Sequence, residues 1–323
     1  MDLYFSPMAC SLASRIALYE AGAADVRFIE VDPKSKRTLD GADYREIYAL
    51  GLVPLLRLDD GSLLSENAAI LQYIAGRYPD AKLAPTDAVG RAHLQQWLCF
   101  IGTELHKGLF VSLLDKNAPA EMKTYVLGRG VSRLDYLEVD PKTKIVQNDG
   151  SDFRQVNPLG LVPTLRTDDG LVLTENAAIL QYVADRFPQA GIATGPGMER
   201  SRLHQWLCFI GTELHKGLFV PVLDKKAPDE VKTYILGRGL SRLDYLENYL
   251  RGREFLLDHF SVADAYLVTV INWTMATPPI ELAKWPVVKA YYERLRTRPS
   301  IAKAIAEEFE LYKAELARHK AAA

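Results

Sequence analysis

GLVPLLRLDDGSLLSENAAILQYIAGRYP, residues 51 to 79, decides the fold, and the chain carries it twice. The same order of residues returns as GLVPTLRTDDGLVLTENAAILQYVADRFP at 160 to 188, 109 positions later. In the first copy Leu55 to Leu58 reads as a strand, and Asp59-Asp60-Gly61 is a hairpin turn into a second strand at Ser62-Leu63-Leu64. A helix is predicted from about Glu66 to Arg77, with Ala69, Ile70, Tyr73 and Ile74 on its buried side and Pro79 after its end.

Outward from this stretch the repeat extends from Asp43 to Glu138 and again from Asp152 to Glu247. Roughly two thirds of the aligned positions are identical, far too long a unit for a solenoid, so each block reads as a duplicated piece of a domain. Residues 1 to 29 and 248 to 323 have no second copy. One head and one tail are available to complete two blocks.

The head begins with a short apolar strand, Leu3-Tyr4-Phe5, broken by Ser6-Pro7. A helix follows from about Ser11 to Gly22, and DVRFIEVD then alternates as a strand does. Joined to the first block, the order βαβαββα is that of a thioredoxin-like sheet. From Ala88 to Asp115 and from Glu121 to Glu138 the pattern is helical throughout. The fold class is therefore α/β plus all-α, a small thioredoxin-like domain followed by a helical bundle.

Composition limits the function. The 323 residues are 48% apolar and 25% charged with a net charge of −2, which gives no electrostatic case for nucleic acid or an anionic membrane. No apolar run approaches the roughly 20 residues that span a bilayer. The start, MDLYFSP, lacks a signal-peptide pattern, and three cysteines are too few for a disulfide scaffold, so the expected compartment is the cytoplasm. No metal site is expected.

The chemistry concentrates at FSPMACSLASR, residues 5 to 15. Cys10 lies at a strand-to-helix turn, where exposed amides and the positive end of the helix dipole favour a thiolate. A plain reading, a small buried hydrophobe, stands beside it. Val53-Pro54, read as a cis turn, is expected to lie beside the sulfur and pair with an extended peptide. Cys99 and Cys208 sit inside apolar helical faces and read as packing.

SPMACSLASRIALYEAG, the 51 to 79 stretch, WLCFIGTELHKG and FSVADAYLVTVINW together resemble a bacterial glutathione S-transferase of the beta class. The resemblance implies a transferase in which glutathione thiolate attacks a hydrophobic electrophile, with thiol-disulfide or peroxidase chemistry close by; glutathione is the substrate. It implies that Cys10 holds the sulfur and that His106, with Lys107, faces the active site. Val53 and Pro54 would pair with the cysteinyl part, and Glu66 and Asn67 would hold the γ-glutamyl end. The second copy offers an alternative set in Val162, Pro163, Glu175, Asn176 and His215. Ser261 and Asp264 match a helix capping box. Phe5 stands where tyrosine is common, and YALGLVP at 48 to 54 departs from the NPxGxVP that the second copy keeps. A non-catalytic binding or regulatory protein of the same fold is the alternative.

The expected organisation is a glutathione-binding domain at 1–82, a partial helical segment at 88–138, a truncated thioredoxin-like segment at 139–190 and a helical domain at 196–323. In the family sheet the first strand lies between the second and third, so the second copy lacks its middle strand. Three assemblies use these parts: either block hangs out as an insertion, or the two pack as an internal pseudo-dimer. A homodimer is the assembly the family implies. The helix ending the first block is predicted to stop near Leu137.

Overall fold

The computed structural model describes residues 1–135, 155–157, 161, 163–167, 170 and 172–321. The predicted stop near Leu137 and the strand expected at 136–140 lie outside them.

Four strands form the first sheet: β1 (Asp2–Phe5), β2 (Arg27–Glu30), β3 (Leu55–Arg57) and β4 (Leu63–Ser65), in the order β2-β1-β3-β4. β1 is parallel to β2, with Leu3 opposite Phe28, and antiparallel to β3, with Leu3 opposite Leu56. The parallel step is bridged by α1 (Ser11–Glu20), and α2 (Asn67–Arg77) follows β4. Period-2 alternation sends Leu3, Leu56 and Leu64 to one face, against Leu18, Ile70 and Ile74, while Tyr4 and Leu55 meet Tyr44 and Tyr48 on the other. The expected βαβαββα order is corrected at its second helix. Only a 3₁₀ turn, Tyr44–Glu46, forms there, with the Asp43 side chain accepting from the Arg45 amide at 2.9 Å.

The first helical segment is α3 (Ala88–Leu114) followed by α4 (Ala120–Asp135). In the second copy, β5 (Thr164–Arg166) and β6 (Val172–Thr174) make a hairpin, then come α5 (Asn176–Arg186), α6 (Met198–Leu223) and α7 (Asp229–Tyr249). The tail adds α8 (Val262–Asn272), α9 (Pro286–Arg296) and α10 (Pro299–Ala321). By length and mean hydropathy alone α3 and α6 are each long and apolar enough to cross a bilayer, though Glu104 and Lys107 interrupt the apolar run of one and Glu213 and Lys216 that of the other; here they are the central helices of the bundle. The predicted capping box forms: the Ser261 amide donates to Asp264 at 2.8 Å, and the buried Asp264 also accepts from the Tyr291 hydroxyl at 2.7 Å.

Both α3 and α6 widen into a π-helical segment over the same ten residues, Ile101–Phe110 and Ile210–Phe219. Glycine is required there. A Cβ on Gly108 would lie 2.8 Å from the Thr103 carbonyl oxygen, and one on Gly217 would lie 2.7 Å from that of Thr212.

The copies pack by reciprocal contacts. Ser65 donates its amide to Gln205 at 3.4 Å, and Thr174, its counterpart, donates to Gln96 at 3.2 Å. Tyr125 bonds Asp224 at 2.9 Å, while Tyr234 bonds Asp115 at 2.6 Å. Lys107 pairs with Glu213 and Lys216 with Glu104. In each pair the partners exchange places on adding 109, the signature of an isologous interface about a pseudo-two-fold axis. α2 rests on α6, α3 on α5, and the π segments cross at the axis. Neither block hangs out as an insertion, which corrects those two assemblies.

The symmetry stops at the tail. Trp206, Ile210 and Phe219 are almost wholly buried, in the core that α7 and the tail build, and Phe219 meets Trp273 edge-on at 6.2 Å. Their counterparts Trp97 and Ile101 are 51% and 50% exposed, and Phe110 is 44% exposed. Identical residues thus have opposite fates because one block has a tail and the other does not.

Candidate functional site

The turn Ser6–Cys10 enters α1 with Cys10 at its N-cap. The Ser6 hydroxyl donates to the Val31 carbonyl at 2.6 Å, fixing the turn to the end of β2. Val53-Pro54 is cis, and the Cys10 thiol donates to the Val53 carbonyl at 3.5 Å. The expectation of a thiolate is corrected. Burial pushes the Cys10 thiol above its ordinary range, aided by the Glu66 carboxylate, and the Lys107 ammonium and the helix amides only partly oppose it.

Cys10, Val53, Pro54, Glu66, Asn67 and His106 all line one cavity of about 640 Å³. Its floor is apolar, with Leu71, Leu98, Leu105 and Phe110 among the walls, and Glu175 and Asn176 of the second copy face the same space. Pro163 is exposed and lies apart from it, and Val162 lies outside the described residues.

Glu66 holds a left-handed backbone, φ +69°, immediately before α2; Glu175 repeats it at +66°. Such a conformation in a non-glycine residue costs of order 1 kcal/mol or more. It turns the chain into the helix and leaves the carboxyl over the cavity. Burial, reinforced by the nearby Glu213 carboxylate, pushes Glu66 up to about 7, against the pull of Lys107 and Arg242. Glu213 behaves oppositely. Burial raises it too, but direct pairing with Lys107 and Arg242, whose Nε donates at 2.8 Å, outweighs that and holds it at about 2. Two carboxyls in one cavity wall are therefore driven apart, one ionised and one poised to hold a proton at neutral pH.

His106 is half-buried, and burial and Lys107 both push it below its usual range, so near pH 7 it is a neutral imidazole. Its counterpart His215 is held differently: Nδ1 lies 2.8 Å from the Tyr266 hydroxyl and the ring meets Trp273 at 4.8 Å, with burial and Lys216 lowering it to about 4. Asn67 accepts from the Ser14 hydroxyl at 2.6 Å, tying α2 to α1, whereas Asn176 bonds Tyr266. The second-copy set is thus split between the cavity wall and contacts with the tail. Among the described residues no group of three His, Cys, Asp or Glu is placed to hold a metal.

Glu213, Arg242 and Tyr48 are cavity residues that sequence reading missed. The spacing in TELHK places Glu104 and Lys107 three apart on one helix, which reads as a local pair; the repeat offset alone hints that each lysine can find the other copy's glutamate. Tyr48, where the second copy has Asn157, stacks edge-on with Tyr245 at 6.3 Å and hydrogen-bonds Ser65.

Residues 3–82 match the family model described as glutathione S-transferase, N-terminal domain, a second N-terminal-domain model matches 113–186, and the model of the C-terminal domain matches 209–299. Among curated proteins, glutathione S-transferase GstA of Escherichia coli O157:H7 is 36% identical over 174 residues, 53% of this chain and 85% of that one. Glutathione S-transferase GST-4.5 of Xanthomonas campestris is 32% identical over 171 residues, 49% of this chain and 80% of its own length. A solved glutathione transferase from Methylococcus capsulatus is 31% identical, covers 95% of this chain and 98% of its own, and superposes with a TM-score of 0.46.

Proposed function

Because this chain belongs to the glutathione S-transferase family, we propose that it binds glutathione in the cavity at the first copy and transfers its sulfur to a hydrophobic electrophile. The observation that carries this reading is the convergence of Cys10, the Val53-Pro54 turn, Glu66 and His106 on one apolar-floored space. In it, Val53 pairs with the cysteinyl backbone, and the γ-glutamyl end lies at the start of α2. Glu66, raised to about 7 by burial and Glu213, becomes ionised when the ligand's ammonium arrives. Cys10 orients the glutathione sulfur by hydrogen bonding or holds it as a mixed disulfide. His106, neutral near pH 7, accepts the thiol proton; the sulfur then bonds to the electrophilic carbon and the leaving group departs with its electron pair.

The beta class, a role in detoxification, a cytoplasmic place, and thiol-disulfide or peroxidase side activities belong to the same proposal. So does the organisation into a glutathione-binding domain at 1–82 and a helical domain at 196–323, which arose by duplication of a block of about 109 residues. The reciprocal contacts support an intrachain pseudo-dimer in place of the family's homodimer.

Calorimetry with glutathione on the wild type, Glu66→Ala and Glu175→Ala tests the site. Loss of binding in Glu66→Ala alone is expected. Loss in Glu175→Ala alone would move the site to the second copy, and no binding by the wild type would sink the transferase reading. A second reading, a glutathione-binding protein without turnover, draws on the burial that keeps Cys10 protonated. Retention on immobilised glutathione without conjugation of any electrophile would favour it.

A further inference from the structure

The GLVP turn is braced by different side chains in the two copies. In the second, the buried Asn157 amide donates to the Leu161 carbonyl at 2.6 Å and to the Thr164 hydroxyl at 2.9 Å, and that hydroxyl donates to the same carbonyl at 3.0 Å. The first copy has none of these groups. Tyr48 stands for the asparagine and Leu55 for the threonine, and Tyr44 stands where the second copy has Phe153. The Leu52 carbonyl, counterpart of that of Leu161, is held instead by the Tyr44 hydroxyl at 2.8 Å. Tyr44 is wholly buried, its ring 5.3 Å from that of Tyr4 and packed with Val31 and Leu55, so the hydroxyl has a fixed place. Three differences between the copies thus form one exchange: the hydroxyl at 44 takes the carbonyl that an amide at 48 would take, and Leu55 packs where a hydroxyl would have been needed. Tyr48 is released from that task, meets Tyr245 edge-on at 6.3 Å and lines the cavity beside Leu52 and Val53.

We propose that Tyr44 is a positioning residue of the first-copy site: its hydroxyl fixes the Leu52 carbonyl and so aims the Val53 backbone at an extended peptide, leaving Tyr48 to serve as cavity wall. The Leu52 carbonyl and the Val53 amide belong to one planar peptide unit and point in opposite directions, so holding the carbonyl from the core side sets the direction of the amide on the other. The next carbonyl along, that of Val53, accepts from the Cys10 thiol, which places the sulfur on the same edge. A ligand paired through its backbone gains only from an edge already aimed, since any reorientation on binding subtracts from affinity. This assignment rests on the reading of the cavity as a glutathione site and adds the device that holds its peptide-pairing edge.

The test is a double-mutant cycle on the full chain with Tyr44→Phe, Tyr48→Asn and the two combined. Glutathione Kd is measured by calorimetry, melting temperature is recorded beside it, and deuterium uptake over residues 49–57 is followed without ligand. Tyr44→Phe alone should weaken glutathione by about tenfold, because a buried carbonyl loses its donor, and should speed uptake over the turn. Combined with Tyr48→Asn, the same substitution should change Kd by less than about twofold relative to Tyr48→Asn alone, since the asparagine takes the carbonyl as Asn157 does in the second copy. An equal penalty in both backgrounds would overturn the proposal. So would a Tyr44→Phe protein that melts earlier yet keeps wild-type Kd and uptake, the mark of a merely structural tyrosine. Absence of glutathione binding by the wild type would sink the glutathione reading by itself; uptake over 49–57, unchanged in Tyr44→Phe, would then overturn the positioning role, and faster uptake restored by Tyr48→Asn would uphold it.

Discussion

Lys107 pairs with Glu213 of the other copy and not with Glu104 one turn back on its own helix. The same exchange joins Lys216 to Glu104, so the charges that sequence spacing would close locally instead hold the two copies together. A buried carboxylate between two cations is costly to uncover, because removing one partner leaves the others unpaired in low dielectric.

Glu213→Gln is accordingly expected to cost about 2–4 kcal/mol, since Lys107 and Arg242 both lose their partner. Chemical denaturation followed by circular dichroism measures it. A loss below about 0.5 kcal/mol would place this network with ordinary surface ion pairs.

Glu66 gives stability a pH dependence of definite sign. Its folded value, about 7, exceeds the ordinary carboxyl value of 4.5, so the folded state holds the proton more tightly. Stability from this group is fully present below about 4.5 and falls as pH rises through 7, by at most about 3 kcal/mol. Glu213, held at about 2, acts the other way: its contribution is present above 4.5 and is lost as pH falls toward 2. The difference in unfolding free energy between wild type and Glu66→Gln, measured from pH 4.5 to 8, should therefore change by a few kcal/mol; a flat difference would mean the carboxyl is ionised throughout.

Cys10 should alkylate slowly at neutral pH. Because burial keeps the proton on sulfur, the midpoint of iodoacetamide reactivity is expected above the ordinary thiol value of 9.0. Lys107→Ala removes the opposing ammonium and should move the midpoint higher. Rapid alkylation at pH 7 by the wild type would show that the helix amides win after all.

Trp97 and Trp206 supply a comparison in which sequence is held constant. Trp206→Ala, at 2% exposure, should cost about 3–5 kcal/mol, whereas Trp97→Ala, at 51%, should cost less than about 1 kcal/mol. Equal losses in denaturant melts would contradict the uncovered face of the first block.

The features legible in the sequence were those carried by local rules. The hairpin Leu55–Arg57 with Leu63–Ser65 and the helix Asn67–Arg77 follow from alternation, a DDG turn and helical spacing. The second helix of the expected βαβαββα order was not legible, because Asp43 caps the segment into a single 3₁₀ turn that ends before Gly51 takes φ +59°. At the site, residue types were legible and their states were not. Helix-end amides at Cys10 favour a thiolate in isolation; the cavity walls that defeat them come from α3, many residues away. Glu213 is not legible as a site residue because its role is created only when the copies pack.

Gln96–Val111 and Gln205–Val220 are letter for letter the same sixteen residues. Their intrinsic propensities and amide exchange chemistry are identical, so those terms cancel between them within a single molecule. What remains is cover: the second segment lies under the tail, the first lies partly open. Any difference in deuterium uptake between the two stretches is therefore a direct reading of how much local opening free energy burial supplies to a helix, with the chain acting as its own reference state.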